Sequence, residues 1–384
     1  MAVHFTLEEF SDRKSKVIKE LKKQNLDGLL MFRQESMYWL TGYDTFGYVY
    51  FQCLVLTTKG DLVLLTRVPD LRQAENTSII KDIRIWVDKD NAKPSIELKN
   101  ILAELGLEKS NLGVEYEAYG LTGRNAIQLN NSLKNFANLY DKSELVSCFR
   151  VVKSDSEILL VKKAAKLADE AIEIAWKFAQ AGQSEAKILA EMQKVIFENG
   201  GDYPANEFII GSGHNALLCR YQSEKRTLSN PDQLTIEWAG TFKHYHSAMF
   251  RTIAIGKANP KHYKMYDACL EALNKCEEKL IPGNTVGEVF DTHAETFDNL
   301  GYKKSRMNAC GYSLGATFSP NWMDTPPMIF AGNPLILKPG MVFFMHMILM
   351  DSENQLAMNL GETYLIIEKG NERLGKQKLD LIIL

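Results

Sequence analysis

Apolar positions recur along the first part of the chain with two different periods. After Thr6, the residues Phe10, Val17, Ile18 and Leu21 fall at helical spacing. Thr6-Leu7-Glu8-Glu9 reads as a capping box, whose hydroxyl and carboxylate satisfy the first orphan amides. Short apolar runs then predict strands over residues 29–32, 50–57, 61–66 and 83–87, the middle two joined as a hairpin through Thr58-Lys59-Gly60. Helical patterns over 95–105 and 123–133, a strand over 112–116 between them and one strand more complete an α/β arrangement. The run MYWLTGYDTFGYVYF carries Tyr38, Trp39, Tyr43, Phe46, Tyr48 and Tyr50, and reads either as core strand and loop or as an aromatic wall against a ligand.

Near residue 150 the period changes. Ile158, Val161, Ala164, Ala165, Ala168, Ala171, Ile172 and Ala175 make one long helical stripe with charges opposite. Further helices are expected over 184–198, 260–280 and 285–300, and strands over 207–211, 234–256, 341–350 and 357–368. Helices alternating irregularly with antiparallel-looking strands predict an α+β domain, so the chain divides into residues 1–149 (α/β) and 150–384 (α+β).

The segment LTIEWAGTFKHYHSAMFRTIAIG, 234–256, is the centre of this second domain. Its β-branched and aromatic residues predict two strands, with Ala239-Gly240 as the break between them and Glu237 at a strand end. A carboxylate next to Trp238 and within reach of Tyr245 and His246 loses solvation, and becomes a perturbed base or a nucleophile.

Composition narrows the partners. The 384 residues are 45% hydrophobic and 24% charged with a net charge of −3, and no block of Lys and Arg interleaves with aromatics. Nucleic acid is thereby excluded, and a small-molecule substrate expected. Six cysteines without a Cys-x-x-Cys pair predict reduced thiols and a cytoplasmic protein. No signal peptide and no run of about 18 apolar residues is seen, so neither export nor a membrane is expected.

Several motifs occur in a fixed order: Arg150-x-x-Lys153-Ser154 with Glu157, GSGHNA from Gly211, the central stretch ending Arg251-Thr252, CGYSLG from Cys310, Leu337-Lys338-Pro339-Gly340-Met341-Val342, and GETYLIIEKG from Gly361. That order resembles the pita-bread family of aminopeptidase P, prolidase and creatinase, with a creatinase-like α/β N-terminal domain before an α+β pita-bread domain. The resemblance covers nearly the whole chain.

Metal-dependent members of that family hold two ions with two aspartates, a histidine and two glutamates. Here the first aspartate position is Glu237 and the second, 11 residues on, is Ala248. The histidine position is Tyr312, the first glutamate His346, and the second Gly361 with Glu362 beside it. The resemblance therefore implies no metal and no cofactor. Creatinase and the ectoine hydrolases work without metal, and the latter are similar in the Glu-x-Ala-Gly at Glu237, the Tyr-His at Tyr245-His246, GYSLGATFSPNW ending at Trp322, and the TGYD after Trp39.

By that likeness Glu237 is the catalytic carboxylate of a ring-opening hydrolase, with Tyr312 and His346 beside it as catalytic groups. Trp39, Tyr43, Arg220, Tyr245, His246, Trp322 and Glu362 are expected to bind substrate. Arg220 stands where relatives commonly carry a histidine; it cannot shuttle a proton but can grip a carboxylate, which implies an anionic or zwitterionic substrate. Proton donors must then come from Tyr312, His346, His246 or His244, although His346 on an apolar strand also reads as a core histidine and Tyr312 as packing. His4, His262 and His293 are expected in solvent. The family further implies a homodimer in which the first domain of one copy closes the site of the other, with Trp39 and Tyr43 acting in trans.

The function expected is metal-independent hydrolysis of a C–N bond in a small nitrogenous, carboxylate-bearing solute. A lyase acting on a zwitterion such as dimethylsulfoniopropionate, an Xaa-Pro peptidase with a rebuilt metal site, and a non-catalytic binding protein are the alternatives.

Overall fold

The computed structural model describes residues 3–324 and 326–384. They form two units, divided between Arg150 and Val151.

In the first unit the elements run α1 (Leu7–Lys23), β1 (Gly28–Met31), α2 (Gln34–Thr41), β2 (Cys53–Thr57), β3 (Leu62–Arg67), α3 (Val68–Thr77), β4 (Asp82–Trp86), α4 (Pro94–Glu104), β5 (Asn111–Val114), α5 (Gly123–Leu133), β6 (Asn138–Asp141) and α6 (Leu145–Arg150). The sheet order is β4-β3-β2-β1-β5-β6. Thr6 caps α1 by accepting from the Glu9 amide. The aromatic run is not a strand. Its first half is α2, closed by Gly42 in the left-handed region (φ 82°). Trp39 and Tyr43 enter the core with Val17, Leu21, Met31 and Leu54.

In the second unit the elements run α7 (Asp155–Phe178), α8 (Glu185–Glu198), β7 (Ile209–Ser212), β8 (Asp232–Phe242), β9 (Tyr245–Ile255), α9 (Pro260–Lys279), α10 (Val286–Asn299), β10 (Ala309–Ser313), β11 (Met328–Phe330), β12 (Val342–Asp351), β13 (Leu356–Ile367) and β14 (Gly370–Arg373). The sheet order is β11-β10-β12-β13-β9-β8-β7, with β14 on β13.

Ala239-Gly240 does not break the central stretch. β8 runs on to Phe242, and the hairpin turns at Lys243-His244, both with positive φ (49° and 63°), the geometry a two-residue loop needs to match strand twist. Glu237 is thus mid-strand. Gly240 has another cause: a Cβ there would collide with the Ala164 carbonyl of α7 and come within 2.5 Å of the Ala168 amide. The glycine lets the helix backbone lie directly on the strand.

Strand register sorts the side chains onto two faces. Glu237 pairs with Phe250, Phe250 with Gly361, and Gly361 with His346; Ala239 pairs with Ala248, and Phe344 with both Thr363 and Tyr312. All of these share one face. The other face carries Trp238, Arg251, Leu360, Glu362 and Met345, and packs on helices: Trp238 Nε1 donates to the Ala168 carbonyl of α7, while Met345, Leu360 and Tyr364 join Cys269, Leu273, Val289 and Phe297 of α9 and α10.

Candidate active site

Glu237 leaves β8 from the face opposite the helices, and its carboxylate Oε1 accepts a hydrogen bond of 3.1 Å from the Tyr312 hydroxyl on β10. Three strands stand between β8 and β10 in the sheet order. Two side chains can meet over that span only if the sheet curls, so this face is the inside of a hollow. The Tyr312 oxygen in turn accepts from Trp322 Nε1 at 2.8 Å. An indole N–H only donates, so the direction runs from Trp322 through Tyr312 to Glu237.

Burial governs the ionisation here. Loss of water pushes the Glu237 carboxyl up to about 7, against the Tyr312 hydrogen bond and the nearby Arg220 charge, which pull it down. Tyr312 is pushed well above the usual phenol range, first by burial and then by the Glu237 charge, and so keeps its proton. His346 is lowered to about 4 by desolvation and is neutral near pH 7. Its ring lies 5.7 Å from that of Tyr312 and 5.5 Å from that of Phe344, and its Nδ1 has no protein partner. Near pH 7 His346 thus offers a neutral imidazole to this face of the sheet. Arg220 is exposed, bonds the Cys219 carbonyl at 2.6 Å, and acts on Glu237 and Tyr312 through its charge.

The structure therefore brings Glu237, Tyr312, His346, Trp322 and Arg220 together and gives the remaining expected residues other partners. Tyr245 points to the helix side, where its hydroxyl donates to Glu157 of α7 at 2.8 Å. His246 is fully buried; its Nε2 accepts from the Ala205 amide at 3.0 Å and its Nδ1 lies 3.1 Å from Thr317 Oγ1, so both nitrogens are already used. Glu362 is paired with Arg251 on the helix face, not in the hollow. Trp39 stacks on Phe149 at 6.4 Å and Tyr43 bonds Gln52, each buried within the core of the first unit. His262 and His293, expected in solvent, are both buried. Sequence reasoning gave no site role to Phe250, Cys219, Thr317 or Asn206, and read Phe344 as part of a core strand. The strand alternation around Glu237 and His346 carried a signal for Phe250 and Phe344.

The hollow does not fit the family's pair of ions. It supplies one carboxylate, a phenol and an imidazole, and among the described residues no cluster of three or more His, Cys, Asp or Glu could hold a metal. Position 361 has no room for any side chain: a Cβ there would lie 2.7 Å from Phe344 Cζ and 2.9 Å from Phe250 Cβ.

Comparison with known proteins agrees with this architecture. Residues 160–368 match metallopeptidase family M24, and residues 13–152 match the creatinase/prolidase N-terminal domain. The chain is 26% identical to the ectoine hydrolase of Halomonas elongata, over 97% of each chain. It is 23% identical to the Xaa-Pro dipeptidase of Pyrococcus furiosus, over 97% of this chain and 99% of that one. Among solved structures, the prolidase of Thermococcus sibiricus superposes with a TM-score of 0.86 at 22% identity, covering 98% of this chain and 99% of its own.

Proposed function

The chain belongs to metallopeptidase family M24, and from that premise we propose that it is a hydrolase acting through a protein carboxylate instead of a metal-bound water. Its substrate is a small amidine or guanidine that also bears a carboxylate, and the bond cleaved is C–N. The observation that carries this reading is the Tyr312–Glu237 hydrogen bond inside a hollow that has, among the described residues, no second carboxylate.

The chemistry follows from those groups. An amidinium is planar and cationic, so the desolvated Glu237 carboxylate attracts it and stands in line with its electrophilic carbon. Glu237 adds to that carbon or takes a proton from water that does; one water is consumed, the C–N bond breaks, and the nitrogen leaves as an amine with a proton. Tyr312 stays protonated and holds the carboxylate in place. Neutral His346 hydrogen-bonds the substrate through its imidazole, and Arg220 grips the substrate carboxylate. Similarity to both an ectoine hydrolase and Xaa-Pro dipeptidases supports hydrolysis as the reaction type. A homodimer with a site closed by the partner's first domain belongs to the same proposal, and light scattering reads it.

Chelator-treated protein offered ectoine, creatine, dimethylsulfoniopropionate and a proline dipeptide, with products identified by mass spectrometry, tests the reading. We expect an amidine or guanidine to be hydrolysed and Glu237→Gln to abolish turnover. An alkene product would make the protein a lyase, and dipeptide cleavage only on adding a divalent metal would make it a peptidase; either overturns the proposal.

A further inference from the structure

His246 was read from sequence as a substrate ligand, yet it sits in a closed ring of hydrogen bonds beside the site, on the same face of β9 as Ala248 and Phe250. The Ala205 amide donates to Nε2 at 3.0 Å. A backbone amide only donates, so Nε2 is bare and the proton is on Nδ1. Nδ1–H therefore donates to Thr317 Oγ1 at 3.1 Å, and Thr317 Oγ1 donates onward to the Trp322 carbonyl at 3.2 Å. The Trp322 amide closes the ring on Asn206 Oδ1 at 3.0 Å, one residue from where it began. Each link has one direction, because a donor-only amide stands at the start.

The ring joins three segments that are far apart in sequence: residues 205–206, strand β9 and the loop 317–322. Its one outlet toward the hollow is the Trp322 indole, which donates to Tyr312, which donates to Glu237. A second tether sits at the end of the same loop, where the buried Lys153 ammonium lies 3.7 Å from Asp324 and 3.3 Å from Ser313 Oγ. His244 acts on His246 through its charge, and Arg220 acts on Glu237 and Tyr312.

We propose that His246 is a positioning residue: through Thr317 it fixes the 317–322 loop so that the Trp322 indole N–H points at Tyr312, and thereby aims the Tyr312 hydroxyl at Glu237. This rests on Glu237 being the working carboxylate. His246 touches no reacting atom. Burial pushes its imidazole down to about 3, so the ring keeps one protonation state, and one direction of donation, at every pH of ordinary assays.

The test reads the indole directly on protein without substrate, so it succeeds or fails independently of the hydrolase reading. The Trp322 indole ¹H–¹⁵N signal, assigned by its loss in Trp322→Phe, is followed by hydrogen exchange in the wild type and in His246→Leu, Thr317→Val and His246→Asn. Leucine removes both bonds and valine removes the hydroxyl relay. The asparagine amide can still donate to Thr317 from the place of Nδ1. We expect exchange of the indole proton to speed up about tenfold or more in the Leu and Val variants, since a lost hydrogen bond of about 1.4 kcal/mol converts to that factor, and to stay near wild type in the Asn variant. If His246→Leu does not fold, Thr317→Val alone decides. An indole as protected in the folded Leu or Val variant as in wild type, or equally exposed in Leu and Asn, overturns the proposal.

Discussion

Tyr312 on β10 and Glu237 on β8 hydrogen-bond at 3.1 Å although β12, β13 and β9 separate their strands. The bond closes the hollow across its width. It also sets two pressures on Glu237: removal from water raises its proton affinity, and the phenol lowers it. Burial is the larger, which leaves the carboxyl near the pH of an ordinary assay.

The rate of a reaction needing ionised Glu237 should therefore fall as pH drops below about 7, the value to which its carboxyl is raised. In Tyr312→Phe the restraining donor is gone, and the acidic limb of kcat/KM should move upward by about half a unit to one unit. A pH–rate profile checks both. A limb that stays put in the Phe variant would detach Tyr312 from the ionisation of Glu237.

Rebuilding carboxylates at two family ligand positions, by Ala248→Asp with Gly361→Glu, should not restore metal binding. The new Cβ at 361 meets the Phe344 ring and the Phe250 Cβ, an overpacking that costs about 1–3 kcal/mol. Urea unfolding should show the loss and calorimetry with Mn²⁺ no tight binding, and adding Phe344→Ala should recover part of the stability.

His293 of α10 is buried between Phe290 and Phe297, and neither ring nitrogen has a protein partner. Burial first, then the nearby His346 and Arg306, lowers it to about 3 from 6.5. A folded value below the unfolded one means that stability is full above about 6.5 and falls as pH decreases, by up to about 1.4 kcal/mol per unit. His293→Leu should thus exceed the wild type by about 1 kcal/mol at neutral pH and by more at pH 5.5. The raised carboxyls Glu115 and Glu237 work in the opposite sense but cancel in the difference between the two proteins. Paired denaturant titrations at the two pH values measure it.

Gly240→Ala should be among the most destabilising single changes, because the added methyl meets the backbone of α7 and neither rigid element can yield. A loss of about 3 kcal/mol or more is expected, against about 0.5–1 kcal/mol gained from the glycine's lost freedom. The urea midpoint is the measurement.

The helices of the second unit were legible because long amphipathic stripes leave little choice: Ser154 and Thr285 cap α7 and α10 with full capping boxes, as their sequences imply. Gly240 was misread because a glycine forced by a neighbouring helix looks, in sequence, like one forced by a turn. The stretch at 37–41 read as core strand and loop or as an aromatic wall because aromatics dominate it, and neither reading foresaw the helix that tertiary packing made of it. Within the site, Glu237, Tyr312 and Trp322 could be found from their motifs, but that His246 is saturated by Ala205 and Thr317 could not: its partners come from segments 41 and 71 residues away. Glu362 was avoidable. Met358, Leu360, Tyr364 and Ile366 mark the core face by their alternation, and 362 has the same parity.

That parity has a lasting effect on what can dwell in the hollow. Glu362 stands next in sequence to a position that holds a ligand in metal-dependent relatives, but a strand reverses sides at every residue, and Arg251 already neutralises it behind the sheet. No rotamer can bring it across, and a slip of register would drag Leu360 and Tyr364 out of the core. Among the described residues Glu237 alone supplies a carboxylate to the interior, and it carries at most one unit of negative charge, reached above about pH 7. The interior is charge-matched to a guest with a single positive centre, and falls well short of compensating two divalent ions.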